Sequence, residues 1–257
     1  MWTTLIRTAE AAIAAKAERD YLAAVREFPA AQVRHHGSTL AMALPELPDF
    51  VQYNKARGYG PESRPHLEAL LAFYRDQGLL PGIEVGAVDA TAEVQQGLLA
   101  ADLAPAPPTV TLHAPPHPNQ VTVASGIHLR EVDGDDADYV DVLLGGYEIG
   151  PDLPGFQKML TIEHSTDGLR RYVANVDDRP VAAGALFTQG NVSVLVGAAT
   201  LPEYRGRGCQ SALIARRLAD AAAHSDLVVA TAAFGSPSHD NLARHGFQIT
   251  QTRTVWR

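Results

Sequence analysis

Between Asn191 and Ala232 the chain runs from an apolar segment (Asn191–Leu201) through a glycine-rich turn into an alanine-rich helix ending near Ala223. A second apolar segment, Leu227–Ala232, follows. An apolar strand, a helix and another apolar strand in that order make a parallel crossover, and both strands must then be buried in the sheet. Just upstream, Arg171–Val176 and Val181–Phe187 are β-rich runs joined by Asp177-Asp-Arg-Pro180, a connection too short for anything but an antiparallel hairpin. Ile127–Val132 alternates as a further strand, and an acidic helix start follows at Asp133–Asp141. Antiparallel strands followed by one parallel crossover define an α/β (α+β) class with a mixed, mostly antiparallel sheet flanked by helices, and Asn191–Leu201 belongs in its middle.

Two proline clusters, Ala104-Pro-Ala-Pro-Pro108 and Ala114-Pro-Pro-His-Pro-Asn119, surround the short β-prone run Thr109–Leu112. Such clusters stop helices and stiffen linkers, so the chain reads as a smaller α/β domain over residues 1–118 and a second domain over 119–257. An ordered strand wrapped in loops is the other reading of the stretch. In the front part the pattern gives a helix over Ala9–Phe28, an extended piece at Thr39–Ala43 and a loop from Pro45 to Pro61. A helix after Ser63 ends at Gly78, a strand covers Ile83–Val85, and a helix covers Thr91–Ala101.

Composition excludes several classes. One cysteine in 257 residues builds neither a disulfide framework nor a cysteine-rich metal site, and it fits a cytoplasmic protein. The charged residues among the first 25 suit an amphipathic helix rather than a signal peptide, and no segment reaches the ~20 apolar residues of a membrane span. Basic and acidic residues number nine against thirteen up to residue 118 and twelve against sixteen beyond it, so neither half has the excess of a general nucleic-acid binder. His35-His36 has no ligand partner at metal spacing, and no metal is expected.

The turn itself, Leu201-Pro-Glu-Tyr-Arg-Gly-Arg-Gly-Cys-Gln210, carries the chemistry. Glycines at a helix N-terminus expose backbone N–H groups to an anion, and Arg205 and Arg207 add charge. A Walker loop or a dinucleotide fingerprint needs GK[ST] or GxGxxG, which this turn lacks, so the expected ligand is a different pyrophosphate. At this point the back domain resembles a GCN5-related N-acetyltransferase (GNAT), whose pyrophosphate loop reads Q/R-x-x-G-x-G/A. Arg205-Gly-Arg-Gly208-Cys-Gln210 matches except at Gln210, and His245-Gly-Phe247 before a terminal strand is similar too; Gly126–Arg257 follows the family order.

The resemblance implies an acyl-coenzyme A donor, acetyl-CoA above all, in a V-shaped opening between the fourth and fifth strands. The backbone of Ala199, Thr200 and Leu201 would hold the pantetheine arm, and Arg205, Gly206, Arg207, Gly208, Cys209 and Gln210 the pyrophosphate, with Cys209 a filler rather than a nucleophile. The acceptor would be a small amine attacking directly in a ternary complex. The family's usual tyrosine acid, four residues before Gly246, is replaced by Leu242. Ser238 and Asn241 then reach the coenzyme, with Ser238 or a water protonating sulfur, and helix capping is the competing reading of Ser236 and Ser238.

For the general base the chain offers Glu148, Glu163, His164 and His239, each also readable as a surface residue, while the central strand has Ser193 where many relatives carry a glutamate. Ser238 and His239 are the catalytic candidates. The acidic run Glu131, Asp133, Asp135, Asp136, Asp138, Asp141 and Glu148 is either a solvated helix face or a lure for a cationic amine. The front domain reads as a degenerate copy of the same fold without a pyrophosphate loop, walling the acceptor cleft or supporting dimerisation, and Tyr53, Asn54, Arg57 and Tyr59 either face the acceptor or belong to a solvated loop. Two rivals stand: a carrier-protein or aminoacyl-tRNA donor, and a catalytically silent CoA-binding module. A monomer and a homodimer are both compatible with the sequence.

Overall fold

The computed structural model describes residues 2–118, 123–132 and 137–257. It contains a mixed α+β architecture with mostly antiparallel sheet flanked by helices. The chain forms two compact units: residues 1–111 with 232–236 and 249–257, and residues 112–231 with 237–248. The first unit therefore ends short of the expected boundary at 118/119, and it takes back the final strand, which the sequence reading had left in the second domain. Among the described residues no helix is long and apolar enough to cross a membrane.

In the first unit, α1 (Trp2–Ala24) leads into β1 (Gln32–His36), β2 (Thr39–Ala43) and β3 (Lys55–Arg57); α2 (Leu67–Arg75) crosses to β4 (Ile83–Gly86), and α3 (Ala92–Ala100) leads to β5 (Thr109–Ala114). With β11 (Gln248–Trp256) the strand order is β1-β2-β3-β4-β11-β5. Of the pairings β1/β2, β2/β3, β3/β4 and β4/β11, the β3/β4 pair around Ala56 and Ile83 is the parallel one, as a helix crossover demands. β1 and β3 were not legible, because Gln32–His36 is polar and half exposed and Lys55–Arg57 carries only three residues. The proline-bracketed run at 109–114 is an ordered strand, with Thr111 and Leu112 fully buried.

The two faces of this sheet differ. An apolar core gathers Tyr59, Leu70, Tyr74, Ile83, Val94 and Leu98 under α2 and α3. Elsewhere in the unit a buried charge layer centres on Glu84, which accepts from Lys55 Nζ at 2.9 Å, Arg57 Nη1 at 3.0 Å and Arg253 Nη1 at 3.2 Å. Burial opposes ionisation of Glu84, but Arg253, Arg57 and Lys55 outweigh it and hold the carboxyl well below the usual range. Burial and Arg57 push the Lys55 ammonium down to about 8 despite Glu84.

Tyr53, Asn54 and Tyr59, expected to face an acceptor, are instead buried within this unit. Asn54 accepts from Leu44 N at 2.7 Å and donates to Leu47 O at 2.7 Å, closing the loop around itself, and Arg57 is committed to Glu84. The β3–α2 connection holds a 3-10 turn, Pro61–His66, where a glycine cradle would stand.

The second unit holds β6 (Ile127–Val132), α4 (Ala137–Gly146), α5 (Pro154–Glu163), β7 (Leu169–Val176), β8 (Arg179–Gln189), β9 (Val192–Thr200), α6 (Cys209–Ala221), β10 (Leu227–Ala233) and α7 (Pro237–Arg244). Its strand order is β10-β9-β8-β7-β6, antiparallel except for the β9/β10 pair. The hairpin turn is Asp177-Asp178 with φ of 49° and 63°, the left-handed pair that matches strand twist and that Asp tolerates. Asp133, Asp135 and Asp136 lie outside the described residues.

Removing Glu84 while its three cations stay buried leaves uncompensated charge. Glu84→Ala is expected to lower unfolding free energy by about 3–5 kcal/mol in chemical denaturation. A loss under about 1 kcal/mol would show the layer to be well solvated.

Candidate functional site

The site begins with a fault in β9. Ala185 pairs with Val196 and Ala183 with Ala199, so Gly197 and Ala198 together oppose Gly184 in a bulge, with Gly197 at φ +54°. On its other edge β9 pairs with β10 over Val192–Val194 and Leu227–Val229, and the ladder stops there. Beyond that point the strands part, and Ala198 and Thr231 are exposed. The opening expected between the fourth and fifth strands of this unit is this parting.

Each edge of the opening can be accounted for by its backbone. Leu201 N–H donates to Val181 O at 2.9 Å and Leu201 O accepts from Tyr204 N at 2.9 Å, so both its backbone groups are spent within the unit. Ala199 O accepts from Gln210 Nε2 at 2.7 Å, and the same amide group reaches Ala183 O at 3.2 Å. Gln210, taken from sequence as a stand-in in the cradle, is a staple between α6 and the bulge. Strand alternation turns Thr200 the opposite way, to the side that β10 has left; its carbonyl accepts from Arg205 Nε at 3.3 Å, and its hydroxyl is buried without a partner.

After Leu201 the chain makes a 3-10 turn, Pro202–Tyr204, then Arg205–Gly208. Gly206 and Gly208 have φ of 76° and 92°, which side-chain-bearing residues adopt only with strain. Gly208 is the N-cap of α6 and no side chain caps that end, so first-turn N–H groups of a 13-residue helix are available to an anion. Arg207 is exposed and stacks on Tyr204 with its guanidinium 4.9 Å from the ring centroid. Arg205 is not aimed into the cradle alone: its Nη2 donates to Gly146 O at 2.8 Å and Glu148 Oε1 at 2.9 Å, tying the loop to the carboxyl end of α4. Cys209 is buried, and burial pushes its thiol up, which leaves it a packing residue.

α7 lies against the same helix start. Asn241 Oδ1 accepts from Ser211 Oγ at 3.1 Å and from Arg244 Nη2 at 3.3 Å. Ser238, three residues before Asn241 and so on the same side of α7, is exposed; His239 points off that side and is half-buried. Leu242, at the position of the missing tyrosine, is buried core. Ser193 is an interior residue, sharing hydrogen bonds with Thr188 at 2.9 Å and Ser225 at 2.8 Å. Among the described residues no group of three His, Cys, Asp or Glu could hold a metal ion.

A group that sequence reading undervalued surrounds the bulge. His164 is 5% exposed, not a surface residue; its Nδ1 bonds Tyr139 Oη at 2.8 Å, and a Cβ on Gly197 would stand 1.9 Å from its Cε1. Arg217, fully buried, donates to Leu213 O at 3.0 Å and Ala185 O at 3.1 Å, and a Cβ on Gly184 would stand 2.9 Å from the guanidinium carbon. Glycines therefore face each other across the bulge because a histidine and an arginine occupy the space of their side chains. A glycine inside an apolar strand was the available signal.

The arrangement predicts that Gly197→Ala destabilises the protein by about 2–4 kcal/mol, through overpacking and a left-handed backbone. A double-mutant cycle with His164→Ala in denaturant is expected to show the double variant less destabilised than the sum of the singles. Strict additivity would mean that His164 does not fill the site.

Residues 152–235 match the family described as an acetyltransferase (GNAT) domain. Among solved structures, a GCN5-related N-acetyltransferase from Kribbella flavida superimposes with a TM-score of 0.65 at 14% identity, covering 92% of this chain and 94% of that one. A tandem GNAT protein from the clavulanic acid biosynthesis pathway gives 0.64 at 14% identity over 93% and 86%. A conserved protein of unknown function from Staphylococcus epidermidis gives 0.65 at 12% identity over 88% and 93%. A sequence search of curated proteins found no match. Residues 152–235 thus match a GNAT domain, and the chain shares its fold with GNAT structures, one of them a tandem protein; the GNAT fold generally binds acyl-coenzyme A.

Proposed function

We propose that the GNAT domain moves an acyl group, acetyl in the reference case, from acyl-coenzyme A to the amine of a small molecule by direct attack in a ternary complex. The observation that carries the reading is the coincidence of the β9/β10 parting with the uncapped, glycine-turned start of α6. The pyrophosphate would meet the N–H groups of Gly206–Gln210 with Arg207 beside them, and the pantetheine arm would run back along β9 past Thr200. Arg205 serves the donor by fixing the loop to α4 as much as by its charge. Ser238 and Asn241 border the coenzyme from α7, and His239 is the weaker of the two catalytic candidates because it turns from Ser238's side of α7.

Of the described members of the acidic run, Glu131, Asp138 and Glu148 pair with Arg170, Arg130 and Arg205, and the exposed Asp141 favours a cationic acceptor. A cytoplasmic setting agrees with a coenzyme A donor and a lone buried cysteine.

Calorimetry with acetyl-CoA, followed by thiol release against a panel of small amines, tests the reading. Micromolar binding and release with at least one amine are expected. Binding without release favours the silent module, and no binding favours a carrier-protein or aminoacyl-tRNA donor. Arg207→Ala is expected to weaken acetyl-CoA binding about tenfold, as a charge-assisted contact of about 1.5–3 kcal/mol implies, and Gly208→Val to weaken it more. Unchanged affinity in both would reduce the loop to a simple turn.

A further inference from the structure

The polar face of the first unit's sheet holds charge that its own partners do not balance. Strand alternation sends Lys55 and Arg57 of β3, Glu84 of β4, Gln251 and Arg253 of β11 and Thr111 of β5 to this face, while Ala56, Ile83 and Val85 go to the apolar core. α1 lies over it. Glu10 of α1 accepts from Thr111 Oγ1 at 2.6 Å and from Gln251 Nε2 at 2.9 Å, and its second carboxylate oxygen stands 3.6 Å from Arg253 Nη1. Further charges on α1 are matched, Arg7 by Asp89 at 2.6 Å and Lys16 by Asp20. Lys55, Arg57 and Arg253 then stand against Glu84 and Glu10, three cations to two carboxylates.

This surplus coincides with two unfilled donors. Arg57 and Arg253 both commit Nη1 to the same oxygen, Glu84 Oε1, at 3.0 and 3.2 Å, so their guanidinium groups converge there. The Nε–H of each is nonetheless buried and, among the described residues, meets no acceptor. Arg253 is 5% exposed, and the Lys55 and Arg57 side chains reach solvent over 13% and 18% of their surface. A buried donor has lost its hydration and calls for a water or an ion in return. Water would answer the donors but not the surplus charge, whereas an anion answers both.

We propose that this layer binds one small monovalent anion of the size of chloride, held under α1 by the Nε–H groups of Arg57 and Arg253. Its single charge matches the surplus, and a compact ion suits a layer from which α1 excludes most of the solvent. A phosphate or sulfate dianion would bring a second charge with no cation left to meet it. The strain of the unbalanced layer already falls on Lys55: burial first, then Arg57, with Arg253 adding to them, push its ammonium down to about 8 although Glu84 opposes them. With the anion in place the layer is neutral, and the stability of the first unit depends on which anion is present. Nothing in this depends on the donor site of the second unit.

The full-length protein is unfolded thermally at pH 7 in sodium chloride and in sodium gluconate at matched ionic strength, and its crystals are soaked in sodium bromide for anomalous scattering. Chloride is expected to raise the unfolding midpoint saturably, by about 4 °C over gluconate once it stands at about ten times its dissociation constant. A bromide peak is expected within hydrogen-bonding distance of Arg57 Nε and Arg253 Nε. Arg57→Met and Lys55→Met each remove the surplus charge and are expected to abolish the chloride effect. No difference between the two salts, or no bromide peak in the layer, overturns the proposal and leaves the donors to water. An undiminished chloride effect in either folded variant also overturns it, because the anion then sits elsewhere; if neither variant folds, the bromide peak decides.

Discussion

Backbone hydrogen bonding governs the second unit. A strand in mid-sheet must satisfy donors and acceptors on both edges, and β9 pairs with β8 along its length except at the bulge, and with β10 only as far as Val194. The rest of that edge is left to something other than a strand. Residues around it close every alternative: Leu201 is spent on Val181, Ala199 on Gln210, and Gly146 on Arg205. What stays open is a short path past Thr200 to Ala198, ending at the helix start of α6.

The bulge and the opening depend on each other. Two residues against one give β9 the local twist that separates it from β10, and the twist is locked by what stands behind it. His164 fills the space over Gly197, Arg217 the space over Gly184, and neither glycine can take a side chain without moving its neighbour. Arg217 is charged and buried without a carboxylate partner in these contacts; burial lowers it to about 10, and Tyr139, Tyr172 and Tyr147 face it. Its three carbonyl contacts, on Leu213, Ala185 and Val196, join helix and both strands at one point. In the first unit the same strand–helix–strand crossover occurs at β3–α2–β4, but a 3-10 turn fills its connection and a carboxylate with three cations occupies its polar layer.

Local chemistry was legible in the sequence and long-range closure was not. The Asp177-Asp178 turn, the strand Ile127–Val132 and the Arg205–Gly208 loop declare themselves because turn type, alternation and glycine spacing are set by neighbours in the chain. β1 and β3 escaped because pairing, not composition, makes Gln32–His36 and Lys55–Arg57 into strands. α5 at Pro154–Glu163 escaped because its buried apolar residues, Phe156, Met159 and Leu160, are few. The membership of Ile249–Arg257 in the first unit follows from its antiparallel register with Ile83–Gly86, about 170 residues away by sequence, which no local pattern records. His164 and Tyr139 meet over a glycine for the same reason.

The central claim is that the unpaired edge of β9 and the start of α6 form one donor site. Amide hydrogen exchange with and without saturating acetyl-CoA tests it most directly. The account predicts slower exchange at Ala198, Thr200 and Gly206–Ser211 on binding, with Lys55–Arg57 and Ile83–Gly86 of the first unit unchanged. Protection confined to the first unit, or unchanged exchange along β9 and α6 while acetyl-CoA is bound, would contradict it.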